Sequence, residues 1–328
     1  MTQAYAVTAV VAVLVLTTGG ASLIGTNGGA RTEAKRCLVE PTEAAGPHYG
    51  MVWVPGGSFE MGDTVYPEEG KRRATVSGFW MDRHEVTNAE FAAFVEATHY
   101  VTVAERALDP ATHLSLDADL LKPGSLVFVM PREVRGLDDV SQWWKFVPGA
   151  NWRHPGGPGT SIDGRENFPV VELAYADVQA YASWKRRSLP SEAQWEWAAR
   201  GGAHPLPDHE QPKDANTWQG VFPVADTGDD GFVGLAPVGC FKPNAFGLYD
   251  MIGNAWEWTS DRFEPAASQR RSVEDTPERG ETPGHVIKGG SFLCAANYCM
   301  RYRAGARQKQ EDDLAASHLG FRTILLPD

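Results

Sequence analysis

The sequence predicts an α+β fold, a single compact domain in which regular secondary structure is sparse. Hydrophobic residues make up 42% of the 328 positions and charged residues 22%, the balance of a chain that can build a core. The 34 Gly and 22 Pro interrupt helices too often for a bundle, and with 11 Trp they suggest loops packed around indoles. Helical periodicity appears in short stretches that do not alternate with strands in the βαβ manner.

Taken in order, residues 4–16 form an apolar stretch followed by Thr17-Thr18-Gly19-Gly20-Ala21-Ser22. Its length suits the core of a signal peptide better than a membrane span, which takes ~20 apolar residues. No Lys or Arg precedes it and the first is Arg31, so the usual basic start is missing. Residues 1–24 are read as a hydrophobic signal or anchor, with export or membrane attachment favoured over a cytoplasmic location. A lipoprotein anchor is not expected, because Ala34-Lys35-Arg36 before Cys37 is not small and apolar. Residues 25–47, rich in Gly, Thr, Glu and Ala, read as a linker. Residues 48–328 are the folded domain, with no internal repeat and no second boundary.

Within the domain, 74–81 alternates as a strand does. Residues 87–98 place Phe91, Phe94 and Val95 at helical spacing, with Thr87 or Asn88 as the cap. Residues 175–185 read as a second helix through Val178, Tyr181, Ala182 and Trp184. Ser191 and Gln194 form a capping box that opens a third, which stops at Gly201-Gly202. Much of 205–290 reads as loop.

The charge balance, −12 overall, carries no basic footprint for nucleic acid. The tight basic runs Lys71-Arg72-Arg73 and Lys185-Arg186-Arg187 read as solvated faces. There is no phosphate loop, dinucleotide fingerprint, Gly-x-Ser-x-Gly or His-Glu-x-x-His. His204 and His209, in a Pro-rich loop, are the closest histidines and read as surface residues.

What remains is Gly289-Gly290-Ser291-Phe292-Leu293-Cys294-Ala295-Ala296-Asn297-Tyr298-Cys299-Met300-Arg301-Tyr302-Arg303. In a helix, Cys294 and Cys299 would face about 140° apart, and in a straight strand they would point to opposite faces. The sulfurs converge only if the segment bends, which Gly289-Gly290 and Ala295-Ala296 permit. A converged pair can form a disulfide or clamp a soft metal. Thiolates select Cu(I), which accepts two ligands, whereas structural zinc takes four. Arg301, Arg303 and Arg307 would favour the thiolate. Four Cys in all are too few for a disulfide scaffold, and spacing does not say whether Cys37 and Cys240 pair.

This segment, with Leu319-Gly320-Phe321-Arg322, resembles the active-site region of the formylglycine-generating enzymes, the sulfatase-modifying factors. The resemblance spans residues 50–326. It includes Phe59-Glu60-Met61-Gly62, Glu85-Val86-Thr87-Asn88, Asn151-Trp152-Arg153-His154-Pro155, Leu189-Pro190-Ser191-Glu192-Ala193, Asn216-Thr217-Trp218-Gln219-Gly220 and Gly253-Asn254-Ala255-Trp256-Glu257-Trp258-Thr259. It implies a fold related to C-type lectins and Cu(I) held by Cys294 and Cys299. It implies oxidation by O2 of the cysteine in an unfolded or nascent sulfatase segment, Cys-x-Pro-x-Arg, to formylglycine. Ser291, Tyr298 and Trp256 would line the copper, and Trp152 and Arg301 would receive substrate. Structural calcium is implied at Asn216, Thr217, Asp230 and Phe232, and at Asp250, Gly253, Ala255 and Glu257. A monomer is expected, with no nucleic-acid partner.

The chain departs from eukaryotic members at Ala182, Ala304 and Thr323, where those carry disulfide cysteines. Ala315 and His318 stand where a Ser and an Asn lie by their active site. Three other readings stay open: a non-catalytic peptide- or sugar-binding module on this fold, a metal-free thiol–disulfide oxidoreductase, and, last, an iron-dependent sulfoxide synthase.

Overall fold

The computed structural model of the chain describes residues 37, 46, 48–108, 120–202, 210–264 and 284–327. The apolar stretch 4–16, almost all of the linker, and His204 and His209 lie outside them. Among the described residues no helix is long and apolar enough to cross a membrane.

The order of elements begins with strands β1 (Met51–Val54), β2 (Gly57–Met61), β3 (Arg72–Val76) and β4 (Phe79–Asp82), then helix α1 (Asn88–Thr98). Strands β5 (Gly124–Phe128) and β6 (Trp144–Pro148) precede helices α2 (Tyr175–Trp184) and α3 (Glu192–Arg200). Short strands β7 (Gly220–Val221) and β8 (Ala225–Asp226) lead to β9 (Trp256–Arg262), β10 (Gly284–Lys288), β11 (Gln308–Glu311), β12 (Leu319–Gly320) and β13 (Ile324–Leu325). The α+β expectation holds, with short strands in several small sheets.

Helices α1 and α3 start where their caps place them. The Thr87 hydroxyl accepts from Glu90 N–H while the Glu90 carboxylate accepts from Thr87 N–H at 2.8 Å. Ser191 and Gln194 do the same at the head of α3, each such cap contributing about 1 kcal/mol. Gly201, at φ 61°, ends α3 in the left-handed conformation.

Two sequence expectations are corrected. The single strand over 74–81 is two strands, β3 pairing with β2 and β4 with β1 and β13, because the chain changes sheets at Ser77-Gly78. A Cβ on Gly78 would fall 2.4 Å from the Trp53 ring, so the crossing needs glycine. The supposed loop 205–290 holds β9 and β10, the centre of the largest sheet, ordered β11-β10-β9-β12. The first four residues of β9 and all of β10 are buried, so neither shows the alternation of a half-exposed strand.

The basic runs are also only partly solvated. Arg72 reaches Glu192 at 2.9 Å, and Arg187 pairs with Asp82 at 2.6 Å with both side chains 12% exposed. Beneath the sheet, Lys288 is fully buried and bonds Glu196 at 2.9 Å. Arg322 is fully buried and grips both oxygens of Glu257 at 2.7 Å. Removing one partner from such a buried pair typically costs 3–5 kcal/mol.

The largest apolar cluster runs from Phe91 and Phe94 through Tyr181, Trp152, Trp256 and Trp258 to Cys294. A second, around Trp143, Trp218 and Phe222, takes in Leu293 and Ala295. The cysteine segment is therefore shared between two clusters.

Candidate active site

Strand β10 delivers the segment. Gly289 (φ 96°) and Gly290 (φ 73°) turn it out of the sheet. A Cβ on Gly290 would stand 3.0 Å from the Arg301 carbonyl and 3.1 Å from the Cys294 sulfur, so this glycine makes room for the site. Cys294 N–H donates to the Ser291 carbonyl at 2.9 Å, and Tyr298 N–H to the Ala295 carbonyl at 3.1 Å. These two turns fold the stretch between the cysteines back on itself. The bend that the spacing required is present, and Cys294 Sγ lies 3.0 Å from Cys299 Sγ. Both are free thiols, Cys294 buried and Cys299 partly exposed.

The two sulfurs are electrostatically unlike. Burial, with the neighbouring Cys299 sulfur, pushes the Cys294 thiol well above the ordinary thiol range. The Cys294 hydrogen bond lowers Cys299 to about 7, with further help from Arg301 and against the opposing effect of burial. Either sulfur can donate the hydrogen bond between them. Such a pair can close to a disulfide or hold a soft cation, and its exposed member can admit a third ligand. Among the described residues there is no group of three or more His, Cys, Asp or Glu that could hold a metal. The donor set suits a two-coordinate soft ion and not structural zinc.

The other expected residues gather around this pair in different ways. Ser291 is fully buried and its hydroxyl accepts from Leu293 N–H at 3.2 Å, supporting the turn that presents Cys294. Tyr298 stacks on Phe222 with centroids 4.4 Å apart and 6° between planes, and meets Trp143 edge-on at 5.6 Å. Trp256 and Trp152 are both 2% exposed and pack in the cluster that contains Cys294. The Trp152 indole N–H has no partner among the described residues, and Arg153 lies over its ring at 4.1 Å. An open hollow of about 620 Å³ is bordered by Trp152, Arg153, Tyr100 and Glu105. Another of about 390 Å³ is bordered by Phe292, Trp218, Phe128, Met130, Val233 and Arg165.

Arg301 is engaged by the protein itself. Its guanidinium bonds Glu68 and lies 3.9 Å from the centre of the Tyr66 ring. Sequence reasoning missed Tyr66 and Glu68, which stand more than 230 positions away in a loop without a recognisable motif.

The residues expected to hold cations lie in loops that buttress the cysteine segment. Phe292 N–H donates to the Asn254 carbonyl and Trp218 N–H to the Cys294 carbonyl. Asn216 Nδ2 donates to the Asn254 side chain at 3.0 Å, and both Asp230 oxygens accept from backbone N–H groups of Thr217 and Phe232. Asp250 accepts from Gly239 N–H, and burial raises it to about 6. Glu85 is raised well above the carboxylate range, by burial and then by Asp250. The buried Arg322 guanidinium bonds Glu257 at 2.7 Å and lies 3.9 Å from Glu85, and Asp250 is buried within the same electrostatic cluster. The Glu257 carboxylate is itself taken by Arg322 and the Trp195 indole N–H.

Cys37 and Cys240, left open by spacing, form a disulfide against Ala236, Phe232 and Phe241.

The model of the sulfatase-modifying factor enzyme 1-like domain matches residues 36–326. A formylglycine-generating enzyme from Mycobacterium tuberculosis is 48% identical over 292 residues, 84% of this chain and 98% of that protein. A mouse protein described as inactive C-alpha-formylglycine-generating enzyme 2 is 38% identical, over 83% of this chain and 84% of its own length. Among solved structures, PvdO from Pseudomonas aeruginosa superposes with a TM-score of 0.55 at 23% identity, covering 89% of this chain and 98% of that one, a likeness of fold.

Proposed function

The chain belongs to the sulfatase-modifying factor enzyme family, and from that premise we propose that it converts a cysteine of a sulfatase to formylglycine. The observation that carries this reading is the free pair Cys294 and Cys299, 3.0 Å apart with one sulfur partly open. Family membership alone does not decide activity, because a relative described as inactive is 38% identical over most of the chain.

The substrate is an unfolded or nascent sulfatase segment carrying Cys-x-Pro-x-Arg, and the cofactor is Cu(I) held by Cys294 and Cys299. When bound, copper supplies a soft centre for the substrate thiolate and for dioxygen. The rest falls to the chain. Cys299 presents a sulfur already close to its thiolate form at neutral pH, and Cys294 stays buried as the fixed member. Trp256 and Trp152 exclude water from the apolar side of the pair. Tyr298, held by Phe222 and Trp143, and the Ser291 turn border the place where the substrate sulfur enters. Conversion of CH2–SH to CH=O withdraws two electrons and releases sulfide. Dioxygen reduced to water takes four, so an external thiol reductant supplies the other two. Calcium held at Asn216, Thr217, Asp230 and Phe232, and at Asp250, Gly253, Ala255 and Glu257, would brace the buttressing loops, a reading supported by the buried acid around Arg322.

The test is direct. Copper-loaded protein with dioxygen and a thiol reductant is expected to form an aldehyde on a Cys-x-Pro-x-Arg peptide, read as a mass loss with oxygen consumption. A folded, copper-loaded protein that forms no aldehyde overturns the proposal. Thiol–disulfide exchange with the peptide and no oxygen uptake would assign the pair to metal-free redox exchange instead.

A further inference from the structure

We propose that the loop joining β2 to β3 is the positioning element for Cys299, acting through Tyr66 and Glu68 on the residues that follow it. The inference rests on the copper reading of the pair and adds residues that neither the sequence motif nor the family match assigns.

The contacts converge from one side. The Tyr66 hydroxyl accepts from the N–H of Met300, the residue directly after Cys299, at 3.1 Å. The Tyr66 ring lies 3.9 Å beneath the Arg301 guanidinium, a cation–π stack that fixes the plane of that group. Glu68 takes the same guanidinium through Nε at 3.2 Å and through Nη2. Arg303 is held by Asp63 and Glu69 and returns its Nε to the Met300 carbonyl at 2.8 Å. Both polar groups of the Met300 peptide unit and both arginines are thus taken up by, or through, one loop.

The loop is stiff enough to serve as a reference. Glu69 is fully buried and caps Tyr66 N–H at 3.2 Å, while Asp63 N–H donates to the Glu69 carbonyl at 3.0 Å. Gly62 (φ 93°) donates to Glu196 at 2.8 Å, and a Cβ on Gly305 would come 2.8 Å from the Gly62 carbonyl. The loop is therefore locked to α3 and to the chain beyond Arg303.

Cys294 is held by its own turn and by burial, so its sulfur needs no such support. Cys299, partly exposed, depends on the groups around it. Arg301, two positions after Cys299, completes the link, since Tyr66 and Glu68 both hold its guanidinium. Tyr66 and Glu68 are positioning residues, and Arg301 in this reading serves the sulfur and not the substrate peptide.

The test uses Tyr66→Phe and Glu68→Gln in the full chain. Outer residues that orient metal ligands typically change affinity by about tenfold or more. Each variant is expected to weaken Cu(I) binding by about tenfold in competition with a chromophoric chelator. At saturating copper, kcat should fall while KM for the peptide stays within about twofold. Glu68→Asp should recover part of both losses. In metal-free protein, the equilibrium constant for closing the Cys294–Cys299 disulfide against glutathione should fall by about threefold or more. That measurement needs no copper and no turnover, so it judges the loop even if the copper reading fails. Unchanged disulfide equilibrium and unchanged copper affinity overturn the proposal. A raised KM with affinity intact also overturns it, returning Arg301 to substrate binding. If Glu68→Gln fails to fold, Tyr66→Phe, which removes one hydroxyl, decides alone.

Discussion

Cys37 and Cys240, 203 positions apart, are joined, whereas Cys294 and Cys299, five apart, face one another as free thiols. The joined pair closes a very long loop and packs in a small cluster of Ala236, Phe232 and Phe241. The free pair sits at the junction of two large apolar clusters, on a glycine-hinged bend, with Arg301 two positions beyond the open sulfur. The difference teaches that proximity in sequence does not make a disulfide. A structural bond needs two segments that the fold holds together and nothing more. A reactive pair needs one buried sulfur, one open sulfur and a reason to remain unbonded.

The sharpest way to break this comparison is to remove one sulfur from each pair. Cys294→Ser and Cys299→Ser are each expected to abolish formylglycine formation, on the order of 10³-fold or more, as loss of a directly participating group does. Their thermal unfolding should change little. Cys240→Ser should do the reverse, leaving turnover by the folded protein within a few-fold. The chain-entropy account of a loop this long gives about 5 kcal/mol, and native disulfides in practice contribute 2–5 kcal/mol. Peptide mass spectrometry with denaturant unfolding separates the two outcomes. A Cys240→Ser protein that is folded but inactive would show the pairs to be coupled.

A smaller effect asks whether the joined pair's side of the molecule also depends on a cation. The loop that bears Cys240 is tied to the acid cluster, since Gly239 N–H donates to Asp250 and Ala236 N–H to Asn254. If calcium occupies the expected sites, adding it at about 100 times its Kd should stabilise the fold by ~2.7 kcal/mol per site. Calcium chelation should lower Tm accordingly and leave the Cu(I) affinity of the thiol pair unchanged. A Tm indifferent to chelation removes calcium from the account of these loops.

How much of this was legible in the sequence follows the range of the interactions. Helices α1 and α3 were readable because Thr87 with Glu90, and Ser191 with Gln194, state their caps within four residues. The bend at Gly289-Gly290 was readable for the same reason. Strands β9 and β10 were not, because burial on both faces erases the period of two, and Glu257 looks like a solvent residue until Arg322 is found beside it. The bond between Cys37 and Cys240 could not be read, since neither residue has a local signal. The partners of Arg301 could not be read either, since Glu68 and Tyr66 reach it from the far end of the domain. In each miss the deciding partner is distant in sequence and close in space.

The smallest effect tests whether the thiol-pair side of the molecule carries acid sensitivity of its own. His318 stands where the resemblance expects Asn, just before Leu319-Gly320-Phe321-Arg322. Its ring lies 4.7 Å from that of Trp144, its Nδ1 has no partner among the described residues, and its carbonyl accepts from Trp256 N–H. Burial lowers its pKa from 6.5 to about 3, so the ring is neutral in the folded protein at pH 7. In the unfolded chain it takes a proton near pH 6.5, so the contribution is whole above that value. It is lost progressively as pH falls from 6.5 toward 3, because the unfolded state binds the extra proton. By pH 5 this amounts to on the order of 1–2 kcal/mol. The His318→Asn variant is expected to keep its stability between pH 7.5 and pH 5, where the wild type weakens by that amount. Urea unfolding of both proteins across this range gives the answer. A wild type whose stability is flat between pH 7.5 and 5, or a variant that weakens equally, would show that His318 is not the group responsible, and the acid sensitivity would no longer distinguish the side of the free thiols from the side of the disulfide.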